Sequence, residues 1–113
     1  MSIKLYCSNP GNLLTQIKQA INEKKIETWK YDKDGDFTHA TAQWSGLAWL
    51  RPSIGYGYLL LTLIPSTATS ITSTVYAVYH GRFIEMAMAH FDREFSKAEG
   101  SAMPQDGDRL GGS

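Results

Sequence analysis

The chain has one cysteine, Cys7, so no intrachain disulfide can form and a secreted, bridge-dependent fold is not expected. It has no excess charge: eleven Lys and Arg balance eleven Asp and Glu, and the isoelectric point is about 6.8. Gripping a phosphate backbone needs a basic excess or a basic patch, so nucleic acid is not an expected partner. No lysine occurs between Lys33 and Lys97, which further weakens base stacking on Trp29, Trp44, Trp49, Tyr56 and Tyr58. No long apolar run exists. The longest, Tyr58–Ile64, falls far short of the roughly 20 residues that cross a bilayer as a helix. Met1–Pro10 has no apolar core of a secretory signal, so a cytoplasmic location away from membranes is expected.

Signatures of chemistry are also missing. There is no HExxH or CxxC, no Gly-rich phosphate loop, no serine nucleophile elbow and no paired-carboxylate motif. No metal or cofactor is therefore expected, and no catalytic residue is assigned. Asp32-Lys33-Asp34-Gly35-Asp36 suggests a calcium loop, but Phe37 stands where the sharp-turn glycine belongs and Gln43 where the bidentate glutamate belongs. Cys7 has no partner base at a useful spacing and reads as a small buried hydrophobe.

What is present describes an ordinary globular chain: 113 residues, 42% hydrophobic, 12% aromatic and 19% charged. Residues 1–99 read as one α+β domain. Residues 100–113 read as a disordered tail whose Gly111-Gly112-Ser113 resembles a cloning remnant. Ile3–Cys7 alternates and is β-prone, hence a strand. Asn9 and Pro10 then form a cap and a first helical position, and Leu13, Leu14, Ile17, Ala20 and Ile21 make one apolar stripe over a helix 10–24. Two β-prone runs flank the acidic turn. A three-residue loop pairs Tyr31 with Phe37 and Trp29 with His39, putting the aromatics on one face; a two-residue loop scatters them.

Leu47–Arg51 reads as a strand stopped by Pro52, and Gly55-Tyr56-Gly57 turns the chain into the strand 58–64. The near-continuous apolarity of that strand suggests a central position covered on both faces, or a dimer contact. Ser66–Ser73 is a polar loop. From about Thr74 to Lys97 the spacing predicts a helix whose apolar side drifts at Gly81, where a kink is expected; a strand over 72–79 is the competing reading.

Trp29, Tyr31, His39, Tyr79, His80, Arg82 and Glu85 are the candidate ligand-binding residues. Histidine is the commonest acid–base side chain near neutral pH, and Arg82 with His80 suits an anion. The plain alternative makes Arg82–Glu85 an ion pair along one helix and the aromatics a core.

The runs Ile26–Asp32, Gly35–His39, Ala48–Pro52 and Val75–Met86 resemble a family of small bacterial proteins with no assigned activity. The resemblance covers most of residues 3–96 and implies a bacterial origin and nothing catalytic.

The expected fold is an α+β two-layer sandwich, with a mainly antiparallel sheet of four to five strands and both helices on one face. The expected function is a non-catalytic binding or regulatory module acting as a homodimer, self-associating through the C-terminal helix or the 58–64 strand. The alternative is a small hydrolase-like enzyme using His39 or His80 with Arg82 and Glu85. Convergence of these four residues in one concavity separates the two.

Overall fold

Asn9 caps the first helix as its side-chain oxygen accepts the Asn12 N–H at 3.0 Å, and Pro10 occupies the first helical position. At the other end the Lys25 N–H reaches the Ala20 carbonyl and the Lys24 N–H the Ile21 carbonyl, which closes the helix in a Schellman motif. The left-handed position of that motif falls on Lys24, at φ 62°. The acidic hairpin forms as the aromatic pattern predicts: Trp29 faces His39, Lys30 faces Thr38 and Tyr31 faces Phe37. Its turn is closed by Gly35 N–H to the Asp32 carbonyl, and Gly35 takes φ 85°. The Asp32 carboxylate accepts the N–H groups of Asp34 and Asp36, so it shapes its own turn.

The computed structural model describes residues 2–65 and 72–101. Its elements are β1 (Ser2–Tyr6), α1 (Pro10–Asn22), β2 (Trp29–Tyr31), β3 (Phe37–His39), β4 (Ala48–Ile54), β5 (Tyr58–Pro65), α2 (Ser73–Phe91) and β6 (Lys97–Gly100). All strand pairs are antiparallel, in the order β2-β3-β4-β5-β1-β6. The fold is the expected α+β sandwich, with six strands instead of four to five.

The sixth strand starts where the expected long helix was to end, at Lys97. α2 stops at Phe91, and the Ser96 N–H donates to the Tyr6 carbonyl, so the chain returns as β6 along β1. Four residues are too few for periodicity to disclose a strand, and an unpaired β1 edge supplies the reason for it. Gly100 thus belongs to β6 and the Ser101 N–H still donates to the Ser2 carbonyl. The tail beyond Ser101 and most of the predicted 66–73 loop lie outside the described residues.

Pro52 does not stop β4; it pairs with Leu61 inside the strand. The Gly55 N–H donates to the Tyr58 carbonyl, so the hydrogen-bonded set on β4 falls on odd-numbered residues. The nitrogen of Pro52 therefore points away from β5, beyond the single Phe37–Leu50 bridge to β3, where no ladder bond is lost. At the turn, the Tyr58 ring lies so close to Gly55 that a Cβ there would meet it at 2.2 Å.

β5 is central but covered on one face only. Leu59, Leu61 and Leu63 are buried under the helices, while Tyr58, Leu60, Thr62 and Ile64 stay partly exposed. Both its edges are used, by β4 and β1, so it offers no edge to a partner. α2 is a helix throughout, unbroken at Gly81, and the strand alternative over 72–79 is excluded. Its buried apolar residues, Val75, Tyr79, Phe83, Met86, Ala87 and Phe91, form one stripe, with His80 buried beside them. That stripe meets Leu13 and Ile17 of α1, Ile3 and Leu5 of β1, and Phe37 in one core.

Candidate functional site

The α2 residues Arg82, Glu85, Met86, Ala89 and His90 recur at helical spacing, so they share one flank of the helix. That flank faces Trp29 at the start of β2, His39 at the end of β3, and the segment Thr41–Trp44. Between them lies a cavity of about 460 Å³. Trp29 forms its apolar floor, packed edge-on to Tyr79 and Phe83 with ring centroids 5.7 and 5.1 Å away.

One hydroxyl network holds the cavity wall. The Tyr79 hydroxyl donates to the Trp44 carbonyl and lies 2.9 Å from Thr38 Oγ1. Thr38 Oγ1 also donates to the Ala48 carbonyl and accepts the Gly46 N–H. A loop without apolar periodicity is thereby pinned to β3 and α2 through two buried side chains.

His39 is 5% exposed and lies 5.0 Å from the Trp29 ring, centroid to centroid. Its Nδ1 is 3.1 Å from Thr41 Oγ1 and accepts the Thr41 N–H at 3.4 Å. Burial lowers the pKa of the imidazole, the Arg82 charge lowers it further, and the Glu85 charge partly offsets this. The ring is therefore neutral near pH 7, and a neutral ring with an accepting Nδ1 carries its proton on Nε2.

Arg82 and Glu85 pair at 3.3 Å across one helical turn, 58% and 68% exposed. Such an exposed pair contributes little to stability and opens at small cost. Trp29, His39, Arg82 and Glu85 are thus brought together around one cavity.

The remaining three candidates are not. Tyr79 is fully buried and serves the loop network. His80 is 8% exposed on the core side of α2, with Nδ1 donating to the Tyr76 carbonyl at 2.7 Å. It lies two positions from Arg82, and on a helix that spacing turns a side chain to another face. Tyr31 lies by α1, its hydroxyl donating to Asn22 at 2.8 Å and the Lys18 ammonium over its ring. Thr28, Thr41, Gln43, Trp44, Met86, Ala89 and His90 complete the lining. His90 shares a helix face with Met86, a spacing visible in the sequence, whereas nothing local marks the 41–44 segment.

Among the described residues, no group of three or more His, Cys, Asp or Glu is placed to hold a metal ion. No described helix is long and apolar enough to cross a membrane. Cys7 lines a second, shallower hollow with Ser8, Gly57 and Phe95, and burial pushes its thiol pKa upward, away from the reactive thiolate. No known family, curated protein or solved structure matches the chain.

The geometry therefore offers a cation and an anion side by side at the mouth, a neutral imidazole at the wall and an aromatic floor.

Proposed function

We propose that the protein is a binding module, without chemistry of its own, whose cavity takes a small zwitterion with an apolar side chain. The observation that carries this is the Arg82–Glu85 pair beside His39 at the mouth of an aromatic-floored cavity. A simple anion that approaches Arg82 is repelled by Glu85, and a simple cation meets the reverse problem. A molecule bearing both charges replaces the exposed pair with two interactions of its own, and Trp29, Trp44 and Met86 receive the apolar part. Free α-amino acids have this chemistry. The same reading has the protein act as a homodimer in the cytoplasm of a bacterium, the sequence resemblance bearing on the bacterial origin alone.

Isothermal titration with phenylalanine, phenylalanine amide and N-acetylphenylalanine tests the proposal. The free amino acid is expected to bind, and both capped forms to bind at least tenfold more weakly. Arg82→Met and Glu85→Gln should each abolish the preference. Equal binding of all three forms, or none, overturns it.

One contact favours a hydrolase-like alternative: Thr41 Oγ1 lies 3.1 Å from His39 Nδ1, the arrangement of a hydroxyl and its base. The same Nδ1 accepts the Thr41 N–H, so the contact already serves the local backbone. Turnover of p-nitrophenyl esters that vanishes in Thr41→Val and His39→Gln would establish the enzyme instead.

A further inference from the structure

β6 closes one side of the sheet, and its outer edge has no neighbour among the described residues. The Ser101 N–H donates to the Ser2 carbonyl, and Ser2 and Ser101 continue the β1–β6 register. In an antiparallel ladder the hydrogen-bonded pairs alternate, so the backbone groups of Lys97 and Glu99 face β1. Those of Ala98 and Gly100 consequently point outward, unpaired within the sheet. The side chains of Lys97 and Glu99 rise together on the face opposite the helices. Lys97 lies over the Tyr6 ring at 4.7 Å, and the Tyr6 hydroxyl donates to Glu99 at 3.4 Å.

We propose that this edge pairs with the same edge of a second copy, antiparallel about a two-fold axis at Ala98. The register follows from the charges. With Ala98 opposite Ala98 of the partner subunit as a hydrogen-bonded pair, Lys97 stands opposite Glu99 of the partner subunit, and Glu99 opposite the partner's Lys97. Both are non-hydrogen-bonded pairs, the kind in which facing side chains come closest. A parallel arrangement in register stacks like charges, and the short strand leaves few other alignments. Four strongly charged positions thus change from an obstacle to edge pairing into its code. On the helix side the neighbouring flank of α2 holds Ala77, Gly81, Ile84 and Met88, none charged, with Ile84 reaching within 3.9 Å of a Cβ built on Gly100. Met88 is 57% exposed on that flank. The pairing joins two six-stranded sheets into one, with all helices on the same side, and leaves the cavity beside β2 and β3 free.

This gives the homodimer of the proposed function a surface, and it rests on that reading only for the expectation of a dimer; the amino-acid titration tests the cavity separately. Sedimentation equilibrium of the full chain at about 100 μM is expected to give twice 12.6 kDa. Lys97→Glu places two glutamates opposite each other at both contacts, and Glu99→Lys two lysines. Each should weaken dimerisation at least tenfold, and the double swap Lys97→Glu with Glu99→Lys should restore it. Hydrogen exchange supplies a second readout independent of charge: the Ala98 amide should exchange slowly in the dimer and quickly in either single variant, with the β1–β5 amides unchanged in all. A 12.6 kDa species at that concentration overturns the proposal. So does a dimer that ignores both single reversals, or one that the double swap fails to recover.

Discussion

Asp36, at the foot of the acidic hairpin, is buried and binds Arg51 of β4 through two hydrogen bonds of 3.1 and 2.9 Å across fifteen residues of sequence. Arg51 itself is half-exposed, so only one end of the pair is withdrawn from water. The fork geometry suits a carboxylate, and Asp36 raises the pKa of the guanidinium by hydrogen bonding and charge. The contact ties β3 to β4 beyond the single backbone bridge between them, on the hairpin that carries His39.

Arg51→Met strands the buried carboxylate and is expected to lower unfolding free energy by about 2 kcal/mol, less than the loss for a fully buried pair because Arg51 meets water. Asp36→Asn should cost less, because the amide keeps an acceptor for Arg51. In urea unfolding, a double-mutant cycle should show the combined loss to be smaller than the two single losses added. Simple addition would show that the two residues act separately.

His39 predicts the sign of a pH dependence. Its folded-state pKa lies below the ordinary value of 6.5 because burial and Arg82 disfavour the imidazolium. On acidification the unfolded chain therefore takes up this proton first, and stability falls as pH drops through about 6.5 until the folded ring also titrates. Thermal unfolding between about pH 7.5 and 5 should show this loss, and His39→Gln should flatten that part of the curve. An unchanged slope in the variant would mean that another group is responsible.

Lys24 holds the left-handed position that ends α1, where a Cβ is unfavourable and glycine is the usual residue. The side chain is exposed, so little packing is lost on replacement. Lys24→Gly should raise the unfolding free energy by about 0.5–1 kcal/mol, seen as a higher urea midpoint at unchanged slope, after the entropy glycine adds to the unfolded chain. A destabilised variant would show that the Lys24 side chain contributes more than its backbone conformation costs.

The legible parts of the fold are those whose causes lie a few residues apart. Asn9 and Pro10 start α1 because a cap and its acceptor are neighbours in sequence. Asp32 and Gly35 set the turn, and the aromatic match of Trp29 with His39 set its register, because a hairpin pairs residues joined by one short loop. Pro52 misled because its effect depends on which way its nitrogen points, and that depends on where β3 ends. β6 runs from the last residue of the expected helix, Lys97, to the first of the expected tail, Gly100, and its four residues form a strand only when β1 lies alongside.

At the cavity, residue types alone singled out Trp29, His39, Arg82 and Glu85, but equally Tyr31, Tyr79 and His80. Composition and spacing determined that this chain builds an α+β domain with a one-faced first helix and an aromatic hairpin, because these are local preferences summed along the chain. Which flank of α2 faces His39, that Tyr79 holds the 41–44 wall instead of a ligand, and that Lys97 and Glu99 share an open edge were decided only by tertiary structure. Each depends on the rotation of one element against another, and that rotation is set by packing Phe83 and Tyr79 against Trp29 across the core.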